Sequence, residues 1–224
     1  MLESDIPVFA IDGPSGSGKG TVSRILAKRL GWHYLDSGAL YRLTAYEAEK
    51  QAVVLSDEAA VAKIAGSLDV HFSADAEGVF LAGENVNDAI RTEACGNRAS
   101  KVASLPAVRD ALLDWQRAFK KPPGLVADGR DMGSVVFPQA KVKVFLTASV
   151  EIRAERRYAQ LKAKGIGGNL DAIFNDIRER DLRDSARSVA PMKPAKGAVL
   201  LDTDKLSIET VVEKLMNLLP DSTV

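Results

Sequence analysis

The sequence has one cysteine, two histidines and no excess of charge of either sign. Cys95 alone cannot close an internal disulfide or build a cysteine-based zinc site, and a single thiol suits a reducing compartment. His33 and His71 are too few for a histidine-rich metal centre. Both lie in strand-like runs, where packing is their expected role. The 30 lysines and arginines balance 30 aspartates and glutamates, so no global field draws the chain to a polynucleotide or an anionic membrane. Long apolar runs are also absent. Glu3 and Asp5 precede only the short run Val8–Ile11, which is not a signal peptide, and no stretch approaches a membrane span. What remains is a globular composition, 46% hydrophobic and 27% charged over 224 residues, enough for one substantial core. A cytoplasmic protein is expected, with no polynucleotide or membrane partner and a monomer as the simplest state.

Short apolar runs alternate with amphipathic stretches. The strands expected are Val8–Ile11, His33–Leu35, Leu125–Ala127, Val142–Leu146 and Val199–Leu201. The helices expected are Lys19–Leu30, Ala39–Gln51, Pro106–Lys120, Val150–Lys164, Leu170–Arg183 and Ile208–Leu218. Gly31 stands where a helix C-terminus wants glycine, Pro106 suits a first turn and Ser207 suits a cap. This alternation predicts an α/β fold with a parallel sheet and functional loops at the C-terminal ends of its strands. One segment departs from it. After a helical stretch starting near Ser56, Leu68–Phe72 and Val79–Leu81 are short and separated by Asp75, Gly78 and Gly83, which reads as a small antiparallel β insert. The whole is expected to be a single domain, with an inserted subdomain over about 52–104.

The strongest motif is Gly13-Pro14-Ser15-Gly16-Ser17-Gly18-Lys19-Gly20-Thr21, directly after a strand and opening a helix. Glycines let backbone N–H groups curl inward around a phosphate, the helix N-terminus adds partial positive charge, and Lys19 brings a full one. Gly20 stands where a Ser or Thr commonly follows the lysine, with Thr21 next. A bound Mg²⁺ is therefore expected to be held largely through water and phosphates, and no side chain is assigned as a metal ligand.

Four further clusters follow strands or lie on helices. Asp36-Ser37-Gly38 precedes Arg42 by one helical turn; it can be a turn and helix cap, or it can hold a phosphate with Arg42. Asp128-Gly129-Arg130-Asp131-Met132-Gly133 places an arginine, which can fork onto a phosphate or a base edge, beside carboxylates that can accept from an exocyclic amine. In Arg178–Arg187, a helix would bring Arg180, Asp184 and Arg187 to one face. That run can be a solvated, salt-bridged helix, or it can supply charge to a migrating phosphoryl group. Arg153, Arg156 and Arg157 lead through Lys162 and Lys164 into Gly165–Gly168, which can be a closing lid (about 153–170) or an ordinary surface loop. Arg157 is the candidate ATP contact on that helix. Trp115 and Phe119, four residues apart, read as core.

In order and spacing, GPSGSGKGT, LDSGALYR, VADGRDMGSVVFP and RERDLRD…R resemble the bacterial-type cytidylate kinases, P-loop nucleoside monophosphate kinases, from about Ile6 to Leu218. The resemblance implies a five-stranded parallel core, a monophosphate-binding insert and a short lid. It also implies transfer of a phosphoryl group from ATP, with Mg²⁺, to CMP or dCMP. Carried over, Ser37, Arg109 and Asp131 would read cytosine, with Gly38 and Asp128 beside them. Arg42, Arg130 and Arg180 would hold the monophosphate, and Asp184 and Arg187 would lie at the sugar and the transfer site. Lys19, Arg130, Arg180, Asp184 and Arg187 would form the catalytic set. Arg109 comes from the resemblance alone. The chemistry agrees with the residue types: a carboxylate facing the N4 amine and an arginine facing N3 and O2 favour cytosine and repel uracil. Rival readings are a P-loop kinase for another acceptor and a nucleotide-driven switch. No guanine-reading Asn-Lys-x-Asp element supports the switch.

Overall fold

The computed structural model describes residues 6–73, 78–163, 165 and 167–219; Asp75, Lys164 and Ile166 of the expected insert and lid lie outside them. The chain divides into two compact units, Met1–Tyr34 with Lys120–Val224, and Leu35–Phe119.

The first unit is built on a five-stranded parallel sheet. Its strands are β1 (Val8–Asp12), β2 (His33–Asp36), which leads out of the unit, β6 (Leu125–Gly129), β7 (Val142–Thr147) and β8 (Val199–Asp202), in the order β2-β6-β1-β7-β8. β1 and β6 are buried along their whole length, as expected of central parallel strands covered on both faces. They pair from Val8↔Leu125 to Asp12↔Gly129, while Ile11↔Val144 joins β1 to β7. The crossover from β1 runs to β2 on one side and that from β6 runs past β1 to β7 on the other, so the loop after β1 opens at the point where such sheets bind ligands. Helices α1 (Lys19–Leu30) and α9 (Ile208–Met216) cover the sheet, and Phe9, Ile11, Leu26, Val144, Leu146 and Leu215 form its core. A satellite cluster of Ala154, Ile173 and Ile177 joins α7 (Val150–Ala163) to α8 (Leu170–Ser185).

The second unit holds α2 (Ser37–Lys50), α3 (Glu58–Gly66), α4 (Asn87–Ile90), α5 (Glu93–Val102) and α6 (Pro106–Arg117). It also holds an antiparallel sheet of β3 (Val70–Phe72), β4 (Val79–Leu81) and β5 (Glu84–Asn85). The aromatic pair expected in the core forms a cluster, Phe72–Trp115–Phe119, with ring centroids 4.8–6.1 Å apart.

All five expected strands of the large sheet and the insert's antiparallel pair are present, with four of the five running one residue further into their loops and β6 two. The helix signals act as read. Gly31 ends α1 in the left-handed region at φ 65°, Pro106 opens α6, and the Ser207 hydroxyl accepts the Thr210 N–H. Four differences are informative. α2 starts two residues early because Asp36 caps it by accepting the Ala39 N–H. α6 stops at Arg117. α4 and α5 were not anticipated, although Thr92 caps α5 through the Cys95 N–H. The two histidines are exposed rather than packed: His33 Nε2 meets the Pro122 carbonyl at 2.9 Å, and the His71 ring lies 6.2 Å from that of Phe80. Among the described residues, no helix is long and apolar enough to cross a membrane.

Candidate functional site

In the first unit, β1 ends at Asp12 and the chain turns through Gly13–Gly18 into α1. Gly13 adopts φ 149°, and a Cβ there would stand 2.2 Å from the Leu146 carbonyl oxygen. Only glycine lets the loop leave the sheet so close to β7. Gly18, in the left-handed region at φ 89°, precedes α1 without a side-chain cap, and its carbonyl accepts the Thr21 and Val22 amides. The helix N-terminus is thus left to the loop. Lys19 is buried, and its ammonium donates to the Pro14 carbonyl at 3.0 Å, which keeps the charge folded over the loop it opens. Ser17 is buried, and its Oγ has no hydrogen-bond partner among the described residues.

The departure from the common motif has a steric reason. A Cβ on Gly20 would lie 3.2 Å from Asp128 Oδ2 and 3.8 Å from the Tyr34 hydroxyl, which itself donates to Asp128 at 3.1 Å. The end of β6 occupies the place where a Ser or Thr side chain would start.

The arginines of α7 serve the loop from behind. Arg153 is buried; it donates to the Ala148 carbonyl (2.9 Å), the Ser15 carbonyl (3.1 Å) and Asp181 (2.5 Å). Arg156 holds Thr203 through its hydroxyl and its carbonyl, and the Thr203 hydroxyl lies 3.2 Å from the Ser17 carbonyl. Both brace the backbone of the phosphate loop. Arg157 is half-buried and reaches Gln160 at 3.3 Å.

Two arginines, one from a distant part of the chain and one three residues away, meet on one carboxylate. Asp184, 2% exposed, accepts Arg130 Nε at 3.0 Å on one oxygen and Arg187 on the other. α8 ends at Ser185, so Arg187 lies beyond it rather than on its face as expected. It still reaches Asp184 by the shorter three-residue span. Arg180 is half-buried, one turn before Asp184. Asp131 and Asp128 are buried near the end of β6. Asp131 heads a π-helical turn, Met132–Val136, and its carbonyl accepts the Val135 and Val136 amides. Asp12 was not singled out from sequence. It is buried and accepts the Met132 and Gly133 amides at 2.7 and 2.9 Å. Burial, opposed by those two amides, raises its pKa to about 7. No sequence signal joins residue 12 to residues 132 and 133; only the pairing of β1 with β6 does.

In the second unit, Ser37 is buried at the start of α2 and its oxygen accepts Gln116 Nε2 at 2.8 Å. Gly38 is exposed beside it. Arg42 donates to the Ile90 and Thr92 carbonyls at 2.6 and 3.2 Å, and burial lowers its pKa, with Cys95, Asp36 and Glu93 drawing it back up. Arg109 is buried on α6, bonded to the Ala103 carbonyl at 3.3 Å and 5.7 Å from the Tyr41 ring centroid. Asp36 acts as a helix cap.

The glycine conformations, the open helix N-terminus and Lys19 suit a polyphosphate, the one ligand class that uses all three. Among the described residues, no group of three or more His, Cys, Asp and Glu could hold a metal ion. The family model for cytidylate kinase matches residues 9–221. The cytidylate kinases of Pseudomonas paraeruginosa (strain PA7) and Pseudomonas aeruginosa (strain UCBPP-PA14) are 59% and 60% identical over 220 residues, with 96% of each chain covered. The crystal structure of TT1252 from Thermus thermophilus covers 96% of this chain and 98% of its own, at 17% identity and a TM-score of 0.48.

Proposed function

Because the chain belongs to the cytidylate kinase family, we propose that its geometry serves that family's reaction through the residues described above. The enzyme transfers a phosphoryl group from ATP to CMP or dCMP, giving CDP or dCDP. Phosphoryl transfer asks a protein for position and positive charge more than for covalent chemistry. Gly13–Thr21 receives the ATP phosphates on its backbone amides. Lys19 exchanges the Pro14 carbonyl for phosphate oxygens, and Arg157 contributes to the ATP side. Mg²⁺ brought in with ATP would supply charge neutralisation at the phosphates, held through water and phosphates with no side chain of this chain assigned as its ligand.

The observation that carries this reading is Asp184, one buried carboxylate holding two guanidiniums in the unit that bears the phosphate loop. It sets Arg130 and Arg187 as a preformed pair of cations, and such charge costs no reorganisation when the phosphoryl group moves. Arg42, Arg130 and Arg180 hold the monophosphate, with Asp184 and Arg187 at the sugar and the transfer site. Ser37, Gly38, Arg109, Asp128 and Asp131 form the side that reads the base. An Asp131 carboxylate accepts from the cytosine amine and is repelled by the carbonyl that uracil presents instead. The reading takes the enzyme as a monomer acting in the cytoplasm, the reducing compartment that its single cysteine suits.

The test is a coupled ADP-release assay with Mg·ATP and CMP, dCMP, UMP, AMP or GMP as acceptor. Turnover confined to CMP and dCMP supports these assignments. Strong turnover on another monophosphate removes the base-reading roles of Ser37, Arg109 and Asp131, and nucleotide hydrolysis without any acceptor dependence favours a switch instead.

A further inference from the structure

We propose that Asp12 is a positioning residue for the acceptor nucleotide. Its carboxylate sets the Gly129–Gly133 loop, and with it Arg130 and Asp131, in register with the strand end from which the phosphate loop departs. The inference rests on the acceptor-side roles given above to Arg130 and Asp131.

The β1–β6 ladder ends at the pair Asp12↔Gly129. Beyond it, one chain becomes the phosphate loop and the other becomes Arg130-Asp131. Without a further tie the two loops would diverge at the point where donor and acceptor phosphates must meet. Asp12 supplies that tie. One carboxylate oxygen accepts the Met132 amide at 2.7 Å and the other accepts the Gly133 amide at 2.9 Å. These amides open the π-helical turn, where a helix-like segment leaves its first N–H groups without internal partners. The side chain is 3% exposed and makes no ion pair among the described residues. The charges acting on it are both negative, Asp131 from its own loop and Asp128 from β6. The cations flanking the two loops are engaged elsewhere, Lys19 on Pro14 and Arg130 on Asp184. A carboxylate kept in such a place serves geometry rather than charge pairing. Two divergent N–H groups are met by two equivalent acceptor oxygens, which neither an amide nor a protonated acid provides.

The pH behaviour offers an independent readout. With its pKa raised to about 7, protonation exchanges one acceptor for an O–H that faces an amide, so the strap loosens as pH falls through that value. The ¹H–¹⁵N signals of Met132 and Gly133 report this directly in the ligand-free protein.

The experiment uses the full chain, wild type, Asp12→Asn and Asp131→Ala, with KM measured for CMP and for ATP and with amide titrations from pH 5 to 9. Loss of one charge-assisted bond predicts a rise in KM for CMP of about ten- to a hundredfold in Asp12→Asn. KM for ATP should stay within about twofold, since the phosphate loop keeps its own bonds. The Met132 and Gly133 amides should titrate together near pH 7 in the wild type and lose that step in the variant. A folded Asp12→Asn enzyme with wild-type KM for CMP, or one losing CMP and ATP equally, overturns the proposal. So does a wild type whose two amides show no step near pH 7, a measurement that needs no variant to fold. If Asp131→Ala raises KM for CMP and Asp12→Asn does not, the strap fails alone. If Asp131→Ala leaves it unchanged, the acceptor reading itself fails.

Discussion

Replacing Asp184 with Asn keeps the shape of the side chain and removes its charge, and the consequence can be worked out from the structure. Two guanidiniums, Arg130 and Arg187, donate to this carboxylate, and the side chains of Asp184 and Arg187 are 2% and 4% exposed. The variant leaves both cations adjacent in a site that water barely reaches. Breaking a buried ion pair by removing one partner costs about 3–5 kcal/mol. Arg130, at 16% exposure, can turn partly into solvent, so the lower end, about 3 kcal/mol, is expected. Against a total stability of about 5–15 kcal/mol this is large and measurable by urea unfolding. The slope should be unchanged and the midpoint lowered. Added inorganic phosphate should restore part of the loss, because an anion held by the two arginines replaces the missing charge. At a hundred times its dissociation constant it returns about 2.7 kcal/mol, and the gain should exceed that of the wild type. A cost below about 1 kcal/mol, with the same phosphate response as the wild type, would refute the idea that Asp184 holds the two arginines as a preformed anion site.

Lys19→Ala should lower turnover by on the order of a thousandfold while circular dichroism stays that of the wild type, since it loses one bond to Pro14 and the charge meant for phosphate. Gly20→Ala should couple with Asp128→Ala by about 1 kcal/mol in a double-mutant unfolding cycle, because the added methyl meets the Asp128 carboxylate; simple additivity would remove the steric account of this glycine. Arg153→Lys should destabilise by about 2–3 kcal/mol and raise KM for ATP, since one ammonium cannot reproduce the fork that holds Ala148, Ser15 and Asp181. Asp12 should make stability fall as pH rises. Its folded pKa of about 7 lies above the ordinary 3.8, so its favourable contribution is complete below pH 3.8 and is lost by pH 7. The loss is at most about 4 kcal/mol, read as the pH-dependent difference between wild type and Asp12→Asn.

The parts of this molecule that are written locally were legible in its sequence. The strand before Gly13, the glycines, Lys19 and the helix that follows belong to one continuous segment whose spacing carries its own geometry. The same holds for Gly31 and Ser207, whose roles are decided by their immediate neighbours. What depends on distant residues was not legible. Arg153 and Arg156 read as part of a basic helix leading into a lid or a surface loop, and nothing in the run Val150–Lys162 says that they brace carbonyls at Ser15 and Thr203. The β1–β6 pairing creates the bond from Asp12 to Met132 across 120 positions. The helix pattern at Arg180, Asp184 and Arg187 linked Asp184 to Arg187 through the wrong geometry, because α8 ends before Arg187 and their pairing survives the break.

Charge in this chain therefore sorts by partner rather than by count. Arg153 and Arg156 hold the loop's shape through backbone carbonyls, with the Asp181 carboxylate fixing the far side of the Arg153 fork. Arg130 and Arg187 are held on a carboxylate, which presets them for a phosphate. Asp12 has neither kind of partner, and its two demands oppose each other. Folding favours the neutral acid, because burial beside two other carboxylates disfavours the ion. The strap needs the ion, because only that form accepts from both amides at once. A position where the form best for stability is not the form best for geometry is what selection for activity leaves behind at a functional site. The two pH dependences should accordingly run in opposite directions: as pH rises toward about 7, the enzyme should bind CMP better while its unfolding free energy declines, and in Asp12→Asn both trends should flatten together.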